Sequence, residues 1–278
     1  MTPETYHLLF QVLTLISGLC AGSFANVCIA RMPEDRSVVR PRSQCPSCGH
    51  MVRARDNVPL LSWAVLRGRC RDCEWAIPIR YPAVEALVGI LSLLLFRHLV
   101  PTAASITEAS LVTWALYLVF LTMLVATTFI DLRHYIIPDE FSIWAIPAGV
   151  GTTALLNFMG QPGIPDWKSS ILGALLGGGI LAAVMGGYWL VRREEGMGFG
   201  DVKLLAMLGA WLGAVPAVPV VILLSSIAGS IIGILMMFSG ERGLRSQIPF
   251  GPFLAMGGVA YLFFWDSHLS LLIPGLAL

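Results

Sequence analysis

The chain has 278 residues, 56% hydrophobic and 13% charged, with a formal net charge of +1 and a mean hydropathy of +0.76. So little charge cannot cover the surface of a soluble domain of this size. Apolar runs of about 20 residues recur along most of the sequence, which marks an all-α polytopic membrane protein and not a β-barrel, whose strands would alternate apolar and polar residues.

Residues 1–7 hold no Lys or Arg. The first apolar run, about Leu8 to Ala30, lacks a small-residue cleavage site ahead of a polar mature domain. It is expected to be a retained transmembrane helix and not a signal peptide. Ten of the eighteen Lys and Arg residues, with five acids, then fall between Arg31 and Arg80. This polar segment is too short for a large core of its own, so something must staple it. Seven further apolar runs lie at about 81–100, 111–130, 141–160, 170–191, 202–215, 216–238 and 250–273. The run at 202–215 is short for a full span and meets the next at Pro216 and Pro219.

Eight spans that start outside put the segments near 31–80, 131–140, 192–200 and 239–249 in the cytosol. Those segments carry the ten basic residues above and Arg133, Arg192, Arg193, Arg242 and Arg245, against Lys168 and Arg97 on the outer side. The positive-inside rule therefore places both termini outside. Gly173, Gly177 to Gly179, Gly186 and Gly187, then Gly229 and Gly233 are expected at close helix approaches, because packing in lipid has no hydrophobic drive.

Cys45-Pro46-Ser47-Cys48 and Cys70-Arg71-Asp72-Cys73 are two C-x-x-C knuckles with 21 residues between them. Each offers two thiolates from a tight turn, and together they complete a tetrahedral zinc site. Gly49 and Gly68 suit the turns required. The competing reading is a pair of disulfides or a redox centre, which the cytosolic placement disfavours. Four protein ligands close the site, so the metal is structural. An arginine-rich zinc ribbon can also bind nucleic acid. Targeting by charge accounts for the same arginines, so no nucleic-acid partner is expected.

Two carboxylates stand against apolar runs. Asp131 closes one in Phe129-Ile130-Asp131-Leu132-Arg133-His134-Tyr135-Ile136-Ile137-Pro138-Asp139. Asp201 opens another in Gly198-Phe199-Gly200-Asp201-Val202-Lys203-Leu204. Ionisable residues at membrane depth are costly and mark function. Two carboxylates that meet share one proton, which is what an aspartic hydrolase requires. Blander readings exist for each. Asp201 is a good helix N-cap, and Asp131 can snorkel or pair with Arg133. Asp139 competes with Asp131 but reads as the cap of the next helix, and His134 as a solvated loop residue. Gly198 and Gly200 carry no β-carbon, which leaves room for an extended substrate beside Asp201.

Gly22-Ser23-Phe24-Ala25-Asn26-Val27 with Arg31 and Pro33, the paired knuckles, the Asp131 segment, the Gly198 to Leu204 segment and Pro249-Phe250-Gly251-Pro252 together resemble the type IV prepilin peptidases, and in the same order. The resemblance spans nearly the whole chain. It implies about eight transmembrane helices and a bacterial inner-membrane enzyme with both termini periplasmic. Residues 1–30 would be the first helix, 31–80 the cytoplasmic zinc-binding, methyltransferase-associated domain, and 81–278 the protease domain. It implies Asp131 and Asp201 as the catalytic pair at the cytosolic face, cutting a basic leader of prepilins or pseudopilins at a Gly–Phe bond. It also implies methylation of the new N-terminus with S-adenosylmethionine. No Rossmann-type glycine loop with a following acid is present, so methyl transfer has no assigned residues. The rival readings are a transporter, which would show paired halves or broken helices, and a thiol-redox membrane protein.

Overall fold

The computed structural model describes residues 2–194, 198–238 and 249–264. Its long helices are α1 (Pro3–Arg31), α3 (Arg80–Leu99), α4 (Glu108–His134), α5 (Ala145–Phe158), α6 (Trp167–Arg192), α7 (Phe199–Leu212), α8 (Ala217–Phe238) and α9 (Gly251–Phe264), with one short helix, α2 (Leu61–Val65), after the first knuckle. Among the described residues there is no strand, only the isolated bridges Gln44–Met51 and Arg69–Ala76. Several helix ends follow local chemistry. At α1 the Thr2 side chain accepts from the Thr5 N–H, Pro3 takes the first position, Glu4 lies in the first turn and Arg31 in the last. Glu108 opens α4, and Arg133 and His134 close it. Each charge complements the helix dipole beside it.

Among the described residues, six segments are long and apolar enough to cross a membrane: Pro3–Glu34, Arg80–Leu99, Glu108–His134, Asp139–Phe158, Trp167–Arg192 and Ala217–Phe238. They match six of the eight expected runs. The other two differ. α7 has 14 residues, a rise of about 21 Å, which falls short of a hydrocarbon core of about 30 Å. It stops at Gly213, where φ is +88°. The expected run 250–273 is described only to Phe264. Gly196, Met197, Arg242, Arg245 and the C-terminal residues 265–278 lie outside the described residues.

The chain forms two compact units, Met1–Ala126 and Thr127–Leu278, and α4 runs from one into the other. In the first unit α1 packs closely on α3. A β-carbon on Gly22 would sit 2.7 Å from the Glu85 Cα. Polar side chains bind the helices where lipid offers no partner. Ser92 Oγ donates to the Thr14 carbonyl at 2.7 Å, and Trp114 Nε1 donates to the Ser92 carbonyl at 3.2 Å. The Arg31–Arg80 segment is tied by ion pairs. Arg71 holds Asp56 at 2.6 Å and Arg53 holds Asp72 at 2.9 Å. The Arg71 guanidinium keeps the Asp56 carboxyl below the usual carboxylate range.

In the second unit α7 is buried nearly all round, from Asp201 and Val202 through Leu204 to Leu212. A helix enclosed this way needs apolar residues on every face, which its sequence supplies. Against it lies α6, whose Gly173 meets the Gly209 carbonyl and whose Gly177 meets the Leu205 carbonyl. On another side Trp211 Nε1 donates to the Ala145 carbonyl of α5 at 2.9 Å. Ser225 of α8 lies 3.0 Å from the Phe253 carbonyl of α9. Gly179, Gly186 and Gly187 do not follow the expected pattern of close approach, since a β-carbon there meets nothing within 4 Å among the described residues. Gly209→Val should therefore cost at least about 1–3 kcal/mol of overpacking and lower the unfolding temperature in detergent. Gly186→Val should leave it unchanged, and equal effects from the two would refute the packing described.

Candidate active site

Three short segments converge in the second unit. The first is the end of α4. Ile130 and Asp131 are buried, Asp131 to 5% exposure, whereas Arg133 and His134 are exposed. Tyr135 ends the helix at φ +58° and donates its N–H to the Asp131 carbonyl at 3.0 Å. This left-handed residue turns the chain back, so that Ile137 re-enters the interior at 7% exposure. The second segment is the start of α7. Gly198 is its N-cap residue, with ordinary φ −72°, and Asp201 falls in the first turn at 8% exposure. Asp201 is thus not the cap of α7, and its side chain is free for another task. The third segment is the start of α9, where the Gly251 N–H is directed at the Asp131 carboxyl.

The spacing shows how tightly these pieces meet. A β-carbon on Gly251 would lie 2.5 Å from Asp131 Oδ2 and 3.1 Å from Ile137 Cδ1. A β-carbon on Gly200 would lie 3.2 Å from Ile137 Cβ. Ile137 is thus a common neighbour of Gly200, which precedes Asp201, and of Gly251, which faces Asp131. Among the described residues no Lys, Arg or His pairs with either carboxyl, and Asp131 Oδ2 has no hydrogen-bond partner. A pairing of Asp131 with Arg133 is therefore not formed. Burial without a counter-cation disfavours ionisation of both carboxyls at once, which is the condition an aspartyl pair requires.

Asp139 has a different place from the one its sequence position suggests. It begins a short 3₁₀ turn, Asp139–Phe141, before α5, and its carboxylate pairs with the Lys203 ammonium of α7. Lys203 also stands 5.8 Å from the Phe199 ring. The pair fastens the returning segment across the first turn of α7. At Gly200 the missing β-carbon makes room for Ile137 of the same chain. Gly198 is exposed, and among the described residues a β-carbon there would meet only the Gly200 nitrogen, at 4.0 Å.

In the first unit the two knuckles fold alike. The Cys45 N–H donates to the His50 carbonyl at 2.9 Å, and the Cys70 N–H to the Trp75 carbonyl at 2.8 Å. Gly49 and Gly68 both take positive φ, +72° and +69°, the conformation that favours glycine. The sulfur atoms of Cys45, Cys48, Cys70 and Cys73 all lie within 4.8 Å of one another, and Cys45 and Cys73 are 3.7 Å apart. Tetrahedral ligands at about 2.3 Å from a metal would be separated by about 3.8 Å. All four thiols are free, so the cluster fits a metal ion and no disulfide.

Comparison with known proteins places both halves of this geometry. The description "Type IV leader peptidase family" matches residues 118–234, which hold Asp131 and Asp201, and "Bacterial Peptidase A24 N-terminal domain" matches residues 16–99, which hold the four cysteines. The chain belongs to the type IV leader peptidase family. A prepilin leader peptidase/N-methyltransferase of Aeromonas salmonicida is 37% identical over 93% of this chain and 92% of its own length. Proteins of the same name from Myxococcus xanthus and Pseudomonas aeruginosa are 39% and 34% identical, over 88% and 95% of this chain and 69% and 93% of their own lengths. No solved structure matches.

Sequence reasoning found both carboxylates and all four cysteines but not the residues that seat the carboxylates. Ile137, Gly251 and the Asp139–Lys203 pair are those residues. All of them lie in the quoted motif runs, Ile137 and Asp139 after Asp131, Lys203 after Asp201 and Gly251 in Pro249-Phe250-Gly251-Pro252, but the runs do not say what these residues touch. Gly251→Ala should push against Asp131 Oδ2 and lower leader cleavage by about tenfold or more, with the protein still inserted. Cleavage kinetics at matched membrane content check this, and wild-type rates would show that the Gly251–Asp131 approach is slack.

Proposed function

We propose that the protein is a bifunctional enzyme of the bacterial inner membrane that removes the leader of prepilins with Asp131 and Asp201 and then methylates the new N-terminus. The observation that carries the reading is the pair of buried carboxyls with no cation beside them. In such a pair the ionised carboxylate takes a proton from water as that water attacks the scissile carbonyl. The protonated partner donates to the carbonyl oxygen, and a proton then passes to the leaving amine. No nucleophilic Ser or Cys is required. The proton-sharing pair starts in either microstate, because coupled groups titrate together.

The leader is basic and stays cytosolic by the positive-inside rule. The Arg-rich segments, with Arg133, Arg192 and Arg193, support a cytosolic position for the carboxyl pair and a periplasmic position for both termini. Pseudopilins, which present the same kind of leader and apolar helix, are expected substrates alongside prepilins, with membrane lipid around the chain and no nucleic acid. The open space at Gly198 suits an extended segment at the scissile Gly–Phe bond, whereas Gly200 is constrained by Ile137. Cys45, Cys48, Cys70 and Cys73 would hold a structural zinc ion that folds the Arg31–Arg80 segment. S-adenosylmethionine is the methyl donor that the relatives' name implies.

Asp131→Asn and Asp201→Asn should each reduce leader cleavage by about 10²-fold or more while insertion persists. Incubation of solubilised protein with a prepilin and mass spectrometry of the product N-terminus gives the measurement. Substantial cleavage by either variant sinks the pair, and loss only in Asp139→Asn moves the role to that residue.

The metal is checked separately. Elemental analysis should find about one zinc per chain. Cys48→Ser should remove it and reduce methylation at least as much as cleavage, because the carboxyl pair lies in the other unit. A folded, reduced preparation without zinc would exclude the assignment.

A further inference from the structure

A cavity of about 810 Å³ opens within the first unit, where the end of α1 and the start of α3 meet the knuckles. That volume suits a ligand of cofactor size. Its wall includes Phe24, Asn26, Trp63, Trp75, Tyr81 and Glu85. None of these takes part in the carboxyl pair, and Phe24 and Asn26 belong to the Gly22–Val27 motif that proteolysis leaves without a task.

Asn26 is only 3% exposed. Its Nδ2 donates to the Tyr81 carbonyl at 3.0 Å and to the Gly22 carbonyl at 3.4 Å. Both neighbours are acceptors, so the amide nitrogen must face them and the oxygen is the atom left over. Asn26 Oδ1 is buried and has no hydrogen-bond partner among the described residues. A buried acceptor left unpaired costs about 1–3 kcal/mol, which a ligand with an N–H donor would recover.

Glu85 supplies a second acceptor on the facing helix. Gly22, one turn before Asn26, packs against the Glu85 Cα. Glu85 Oε2 accepts from the Leu60 N–H at 2.8 Å, and no Lys, Arg or His pairs with this carboxylate among the described residues. Leu60 itself is strained. Its φ is +59° and ψ −49°, and the Leu61 N–H reaches the Pro59 carbonyl at 2.6 Å, a tight turn of the rare positive-φ kind. Such strain persists where the surroundings hold it, and it gathers at functional sites. Here Glu85 is the group that holds it.

We infer that Asn26 Oδ1 and the Glu85 carboxylate form the amine subsite of methyl transfer, with the aromatic wall facing a sulfonium methyl donor in the same cavity. This rests on the methyltransferase half of the proposed function. Asn26 Oδ1 and Glu85 offer acceptors and a negative charge suited to a primary ammonium, while the same wall also carries Arg31, Arg36, Arg40, Arg42, Arg53 and Arg71, which suit an anionic group. Trp63 and Trp75 are aromatic rings of the kind that attract a cationic centre and stack on a flat base, whereas the Tyr81 ring already carries the Arg80 guanidinium 5.3 Å from its centroid. Trp63 is fixed by its Nε1 donating to the Ile77 carbonyl at 3.1 Å. In the reaction the ammonium first gives one proton to the Glu85 carboxylate. The freed nitrogen lone pair then forms the N–C bond as the S–C bond breaks onto sulfur, leaving a methylated ammonium and a neutral thioether. The ammonium held is either the substrate's new N-terminus or the amino group of the donor.

The test uses the full chain in detergent, with Glu85→Gln and Asn26→Ser beside wild type. Three quantities are read: leader cleavage and methylation by mass spectrometry of the product, S-adenosylmethionine binding by equilibrium dialysis, and zinc content. Glu85→Gln should keep cleavage and zinc but methylate about 10²-fold or more slowly. Unchanged donor affinity assigns the subsite to the N-terminal amine; affinity weakened about tenfold or more assigns it to the donor's amino group. Wild-type methylation and donor affinity in both variants would overturn the inference and leave the proposed function standing. Joint loss of cleavage, zinc and donor binding would make the pair structural and overturn it equally. A wild type that cleaves a prepilin and neither binds the donor nor methylates would overturn the methyltransferase reading itself.

Discussion

Two carboxyl groups withdrawn from water, with no cation between them, cannot both stay ionised. Everything around Asp131 and Asp201 answers to that condition. α4 must end where α7 begins, so that carboxyls 70 positions apart in the chain come together. The first turn of α7 must be free of a capping role, and Gly198 takes the cap position. No side chain may stand between the carboxyls and α9, which is why a β-carbon at residue 251 has no room. Lys203, two residues beyond Asp201, is paired with Asp139 instead. Were Lys203 turned onto Asp201, the shared proton would be replaced by an ion pair and the acid half of the chemistry would be lost.

The residues that carry charge or sulfur were legible in the sequence because each is costly where it stands. A carboxylate against an apolar run, or four thiols in two tight turns, announces itself without knowledge of the fold. The membrane helices were legible for the same local reason. What was not legible depends on backbone reversals and on faces. The return of Ile137 onto Gly200 follows from one left-handed residue, Tyr135, which no propensity marks. Gly200 read as room for substrate, but its neighbour is that isoleucine. Gly179, Gly186 and Gly187 looked like a packing stripe, yet helical periodicity alone cannot say which face a neighbour will cover. α7 read as a weak span for the physical reason that it is enclosed by α5, α6, α8 and α9 and does not need the length of a lipid-facing helix.

The cysteine knuckles solve a separate problem. A segment of about fifty residues with ten basic side chains cannot bury enough apolar surface to fold unaided. Two matched turns bring four sulfurs within a single coordination sphere. The second knuckle even adopts the left-handed conformation at Glu74, at φ +58°, where the first uses Gly49. A non-glycine residue accepts that cost when the surrounding geometry is fixed by something stronger, and a metal–thiolate cluster is strong enough. The same cluster borders the cavity that holds Asn26 and Glu85, since Cys45 and Cys70 are part of its wall. A metal held by the four thiols would therefore border that cavity.

Cleavage and methylation make opposite demands on one nitrogen, which gives a physical reason for two sites in one chain. The aspartyl pair must deliver a proton to the leaving amine, and the product α-amine, with an ordinary pKa of about 7.7–8.0, leaves mostly as an ammonium near neutral pH. Methyl transfer needs that nitrogen with its lone pair free. An acceptor-only subsite lacking any paired cation has the complementary character: it binds the ammonium first and then takes its proton. Asn26 Oδ1 and Glu85 have that character, and Asp131 and Asp201 do not. The carboxyl pair proposed for cleavage and the acceptors proposed for methyl transfer thus lie in different units, the one to give the proton and the other to take it.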